Sequence, residues 1–186
     1  MSAKSGRTQF VILCEDRNHY NFARGFLITR LGDEHVEFVQ KISPYGKGAG
    51  EQWVRESFVE ELESLKRSAS KRKAVLLVLI DGDKLGFAFR KANILSCASG
   101  GDFDALLANH VAIFSPTRNI ETWFYWIDGH EDLDEKTDYK NQYREVKATR
   151  KGKELGLICK GGERGRDFPP SLSDGCREWG RLGERG

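Results

Sequence analysis

Three nearly continuous apolar runs punctuate the chain: FVILC at residues 10–14, AVLLVLI at 74–80 and HVAIF at 110–114. They are rich in Val, Ile and Leu and do not alternate with polar residues. Strands of a parallel sheet have this character, because helices cover both faces and no position meets water. A fourth segment, residues 36–42, does alternate and is expected at a sheet edge. Helical periodicity fills the gaps. Residues 20–31 place Phe22, Phe26 and Leu27 on one side, and residues 51–67 place Val54, Phe58, Leu62 and Leu65 in a core-facing stripe. Residues 119–127 gather Ile120, Trp123, Phe124 and Ile127 on one face, after start signals at Ser115, Pro116 and Thr117. His110 is expected to begin a strand. Strands alternating with helices predict an α/β fold: a mainly parallel sheet of about four strands, flanked by helices and joined by right-handed crossovers.

The pattern changes after residue 130. Residues 131–159 are polar and dense in charge, and read as a mostly helical extension with one exposed helix around 138–151. Residues 160–186 turn to Gly, Arg and Pro and are expected to pack loosely, with at most a short helix near Trp179. The organisation is thus a core at 1–130, an extension at 131–159 and a tail at 160–186, with no internal repeat.

Composition narrows the picture only a little. A chain of 186 residues makes one domain of ordinary size, and 39% hydrophobic residues suffice for a buried core. Thirty basic against 28 acidic residues give a net charge of +2, which neither demands nor excludes an anionic partner. Cys14, Cys97, Cys159 and Cys176 form no CxxC pair, so a zinc site lacks its usual close ligands and a reduced, cytoplasmic protein is expected. The opening residues MSAKSGRTQF carry no apolar signal core, and no run of ~18 apolar residues follows. No membrane partner is expected. His19, His35, His110 and His130 show no metal-binding spacing, and Ser115 lacks the G-x-S-x-G setting of a hydrolase nucleophile.

The informative feature is where the acids stand. FVILC runs into Glu15 and Asp16, AVLLVLI into Asp81-Gly82-Asp83, and HVAIF into Ser115-Pro116-Thr117-Arg118-Asn119 and then Glu121. In a parallel sheet the C-terminal strand ends share one edge, where ligands bind. In extended chain Asp81 and Asp83 would point the same way and present two carboxylates to one hard cation. Glu15 would complete the site or act as a general acid or base beside it. The plainer alternative is that each Asp is a turn residue or helix N-cap.

These pieces, VILCED at 11–16 and LVLIDGD at 77–83, resemble the TOPRIM domain, which carries a Glu after its first strand and a D-x-D after a later one. The resemblance spans residues 8–127. It implies a TOPRIM-like, Rossmann-like core with Glu15, Asp81 and Asp83 as ligands of Mg²⁺ or Mn²⁺. It further implies a metal-dependent nuclease cutting the phosphodiester bonds of nucleic acid. Asp16 stands where topoisomerase and primase members usually have Gly, which points instead to small stand-alone prokaryotic proteins akin to the overcoming-lysogenization-defect nucleases, some of them in antiviral defence. The other reading is a non-catalytic regulatory or nucleic-acid-binding subunit of a larger defence complex.

Flanking residues extend the candidate site. Glu121 is a further catalytic candidate, either as a metal contact or as a base. Arg118 could hold a phosphate bidentately, and Lys47, in the glycine-rich loop SPYGKGAGEQ, could reach another. That loop is not a P-loop, since G-K-[ST] is missing. Asp138 and Lys140 could fold back over the acids. The basic cluster at 66–73 precedes a strand and so falls at the opposite edge, which favours a solvated helix end over a nucleic-acid contact. The sequence does not separate DNA from RNA, and it gives no oligomeric state.

Overall fold

A computed structural model describes residues 6–46, 49–68, 72–161 and 167–183. Its centre is a four-stranded sheet in the order β2-β1-β3-β4, formed by β1 (Thr8–Cys14), β2 (Val36–Ile42), β3 (Ala74–Leu79) and β4 (Val111–Phe114). Every pairing is parallel, with Phe10 opposite Phe38 on one side and Val75 on the other. Parallel neighbours need crossovers, and helices supply them: α1 (Arg17–Leu31), α2 (Gly50–Ser68), then α3 (Phe87–Cys97) and α4 (Asp104–His110). Three more helices follow, α5 (Ile120–Ile127), α6 (Ala148–Gly161) and α7 (Pro170–Gly183). The arrangement is consistent with a Rossmann-like α/β fold. No described helix is long and apolar enough to cross a membrane.

Two apolar layers explain why the runs at 10–14, 74–80 and 111–114 are apolar on both faces. Ile12, Cys14, Leu77 and Leu79 face a core shared with α1, α5, α6 and α7, centred on Phe22, Phe26, Phe114 and Trp123. Leu13, Leu76, Val78 and Ile80 face the other way, against Val54, Phe58 and Leu62 of α2 and Ile94 of α3. At ~25 cal/mol per Å² of apolar surface removed from water, this two-sided burial is the main term holding the sheet.

Three expectations need correction. His110 ends α4, and the strand begins at Val111. The segment 138–151 is not one exposed helix: a 3-10 turn occupies Lys140–Gln142, and α6 starts only at Ala148, with Ala148, Lys151 and Leu155 buried. Glycines are the reason. A Cβ on Gly152 would stand 1.9 Å from the Phe22 carbonyl oxygen, and one on Gly25 would stand 2.1 Å from that of Thr149. The backbones of α1 and α6 therefore lie in direct contact, a packing that carries no hydrophobic signature.

The described part of the tail is not loose either. On α7, Leu172 and Trp179 are buried, and Trp179 packs edge-on against Phe26 at 5.2 Å between centroids. This helix also covers the edge strand. Glu178 accepts a hydrogen bond from the Ile113 N–H at 3.2 Å, and Arg181 donates to the Val111 carbonyl. Side chains thus satisfy backbone groups that would otherwise invite another strand. Lys91 of α3 ties the same helix down through Asp174 at 2.9 Å and Glu178 at 2.8 Å.

Candidate metal centre at the carboxyl edge of the sheet

Because β1 and β3 are adjacent and in register, Cys14 lies beside Leu79, and the acids that follow them meet. Glu15 reaches across: its Oε1 accepts a hydrogen bond from the Asp81 backbone N–H at 2.6 Å. Gly50, opening α2, presses on the same carboxylate, and a Cβ there would lie 3.1 Å from Glu15 Oε2. The Asp81 side chain is 5% exposed.

His19 is the residue that sequence reasoning missed. Asp16 caps α1 by accepting from the His19 backbone N–H at 3.0 Å, and its Oδ1 also meets His19 Nδ1 at 2.9 Å. That fixes the ring so that Nε2 stands 2.9 Å from Asp81 Oδ1. A carboxylate anchoring one imidazole nitrogen while the other faces a site is the arrangement that orients a metal-ligating histidine. The available signal was Glu15-x-x-x-His19, which spans the strand end and the first helical turn.

Asp83 behaves differently from its expectation. The D-x-D segment is not extended, because Asp83 adopts a left-handed backbone with φ 53°. Its carboxylate pairs with Arg90 NH2 at 3.3 Å. Arg90, itself buried, also donates to the Asp81 carbonyl at 3.1 Å and to Glu51 at 2.6 Å. Among the described residues the three groups whose ligand atoms converge, within 4.8 Å of one another, are Glu15, His19 and Asp81, a set that could hold a metal ion. Gly82 makes the turn possible. It lies against the β4–α5 loop, where a Cβ would meet the Thr117 carbonyl oxygen at 2.3 Å and that of Pro116 at 2.6 Å.

That loop brings Arg118 and Glu121 to the same edge. Glu121 is buried, and its Oε2 has no hydrogen-bond partner among the described residues; nor do the buried hydroxyls of Ser115 and Thr117. Orphaned buried polar atoms cost ~1–3 kcal/mol each and usually mark a bound water or ion. Arg118 pairs at 3.9 Å with Asp138. Asp138 accepts from Asn119 at 2.8 Å and from the Lys140 N–H at 2.9 Å, which folds the 3-10 turn over the acids. Lys140 Nζ then lies 3.7 Å from Asp81 Oδ2, too far for a hydrogen bond but close enough to offset charge. Lys47 lies outside the described residues.

The electrostatics follow from crowding. Burial, reinforced by the neighbouring Asp81 carboxylate, pushes Glu15 up to about 7. Burial likewise raises Asp83 and Glu121, again with Asp81 contributing. For His19 burial works against the charge, yet the Asp81 and Asp16 carboxylates outweigh it and hold the imidazole well above its usual range. Burial opposes the charge on Asp16 as well, but its bonds to His19 carry it below the ordinary carboxylate range. On Lys140, Asp81 and Glu121 similarly overcome burial and raise the ammonium. The site thus collects more negative charge than its own cations neutralise.

Comparison with protein families, with curated proteins and with solved structures finds no match for this chain.

Proposed function

We propose that the chain is a metal-dependent nuclease of TOPRIM-like type, acting on the phosphodiester bonds of nucleic acid. The observation that carries this reading is the meeting of Glu15, His19 and Asp81 beside Glu121, whose buried Oε2 has no partner among the described residues. Carboxylate oxygens suit Mg²⁺ and Mn²⁺, and an added imidazole moves the set toward the transition metals. Glu15, Asp81 and His19, the last releasing its proton, would hold the ion, with Glu121 beside them and Asp83 held by Arg90. Bound there, a divalent ion would polarise the phosphodiester and neutralise charge that develops on it.

The chain's own groups supply the rest. Burial and Asp81 raise Glu15 in the ion-free site, a cost that a bound cation would relieve, and Glu121, with its unpartnered Oε2, would accept the proton from water. Lys140 and Arg118 would steady phosphate oxygens, and Asp16 keeps His19 oriented. A role in antiviral defence belongs to the same proposal and rests on family analogy alone.

One observation favours a second reading, a regulatory or nucleic-acid-binding subunit without activity. Asp81 already has His19 at one oxygen and Lys140 near the other, so the acids are partly compensated by the protein itself. The test is a cleavage assay with supercoiled plasmid, linear DNA and RNA in Mg²⁺, Mn²⁺ or EDTA. Metal-dependent cutting by wild type that disappears in Asp81→Ala supports the nuclease. Clean wild-type protein that cuts nothing supports the subunit.

A further inference from the structure

Away from the acids, α6 and α7 bring together two cysteines that the sequence keeps apart. Cys159 Sγ and Cys176 Sγ lie 2.8 Å from each other, although 17 positions separate them in the chain. That is less than an ångström beyond the ~2.05 Å of a disulfide bond. Both thiols are free, and both residues are only partly buried. A third group completes the cluster. Arg30, on the facing helix α1, has Nε and one terminal nitrogen buried without a hydrogen-bond partner among the described residues, and its charge acts on both sulfurs. A guanidinium with two nitrogens unpartnered among the described residues, acting on two thiols, suits a thiolate as counter-ion.

We infer that Cys159 and Cys176, with Arg30, form a redox-active dithiol site that takes a small disulfide, such as a glutathione-type oxidant, and closes into a bond between α6 and α7. Either sulfur can donate the hydrogen bond to the other, and the Arg30 charge favours a thiolate on both. One of the two, as the thiolate that Arg30 favours and the other thiol can hydrogen-bond, attacks first. It displaces one thiolate from the oxidant and forms a mixed disulfide. The other cysteine, losing its proton, then attacks that sulfur and expels the second thiolate. The two protons from the cysteines go to the two released thiols, so the protein is oxidised by two electrons and the oxidant is reduced to two thiols. The bond would fasten α7, and with it the cover of the β4 edge, to the helix packed on α1.

The experiment uses the reduced full chain incubated with glutathione disulfide, read by intact mass, by peptide mapping and by thermal denaturation. The expected product has lost the mass of two hydrogens, carries a mapped Cys159–Cys176 bond, and melts about 6–12 °C above the reduced form. Cys97, partly buried but without a thiol neighbour among the described residues, serves as the internal comparator and is expected to react later. Arg30→Met is expected to slow closure roughly three- to tenfold at neutral pH, as a less acidic thiol attacks more slowly. The inference is overturned if glutathione stays attached to Cys159 or Cys176 without closure, if Cys97 reacts first, or if the bond forms equally fast in urea-unfolded protein.

Discussion

Replacing Glu15 by Gln should stabilise the metal-free protein, and only above a definite pH. The folded state raises this carboxyl from an ordinary value of 4.5 to about 7, chiefly by burial and by the adjacent Asp81. A group raised in this way binds its proton more tightly folded than unfolded. Stability therefore falls as pH climbs from the unfolded value through the folded one, and the full cost is present above pH 7. The shift corresponds to at most about 3 kcal/mol, and residual contact with water reduces it to about 2. Gln keeps an oxygen for the Asp81 N–H, which Glu15 accepts at 2.6 Å, and removes the charge. In EDTA at pH 8 the variant should melt about 4–8 °C above wild type, while at pH 4.5 the two should coincide. Adding Mn²⁺ should raise wild type and leave the variant nearly unmoved. Equal destabilisation of Glu15→Gln at both pH values would refute the reasoning, because it would mean that the carboxylate is a structural partner rather than a strained site group.

Three further outcomes follow from particular contacts. Gly152→Val should lower stability by about 3 kcal/mol or more in thermal denaturation, since its side chain would run into the Phe22 carbonyl across the α1–α6 contact. Gly82→Ala should leave the fold standing but cut cleavage by ~10²-fold, because its Cβ pushes the Asp81–Asp83 turn away from the Pro116 and Thr117 carbonyls. Lys140→Ala should bind Mn²⁺ about fivefold tighter, having lost a competing charge worth ~1 kcal/mol at Asp81, yet cleave more slowly for want of a phosphate contact.

Much of the fold was readable because a short, continuous apolar run bounded by polar residues fits a strand covered on both faces and little else. The strands at residues 10–14 and 74–80 and the edge strand at 36–42 emerge where the pattern puts them, and with them the edge at which Glu15 and Asp81 meet. What stayed hidden depends on backbone detail or on residues without a pattern. The expected pairing of Asp81 with Asp83 assumed an extended chain, and the left-handed φ of Asp83 together with the buried Arg90 sends that carboxylate elsewhere. His19 escaped notice because its partner Asp81 is 62 positions away, although Asp16 three residues before it was in plain view. α3 buries only Arg90 and Ile94 and so shows almost no stripe. α6 packs through glycines, and α7 hides Leu172 and Trp179 in a stretch whose composition reads as tail.

The central claim is that this edge binds a divalent cation, and a calorimetric titration of Mn²⁺ into wild type and Asp81→Asn at pH 7.5, both checked for folding by circular dichroism, tests it most directly. The account predicts saturable binding to wild type that Mg²⁺ competes away and that Asp81→Asn loses. No binding to folded wild type, or undiminished binding to Asp81→Asn, would contradict it.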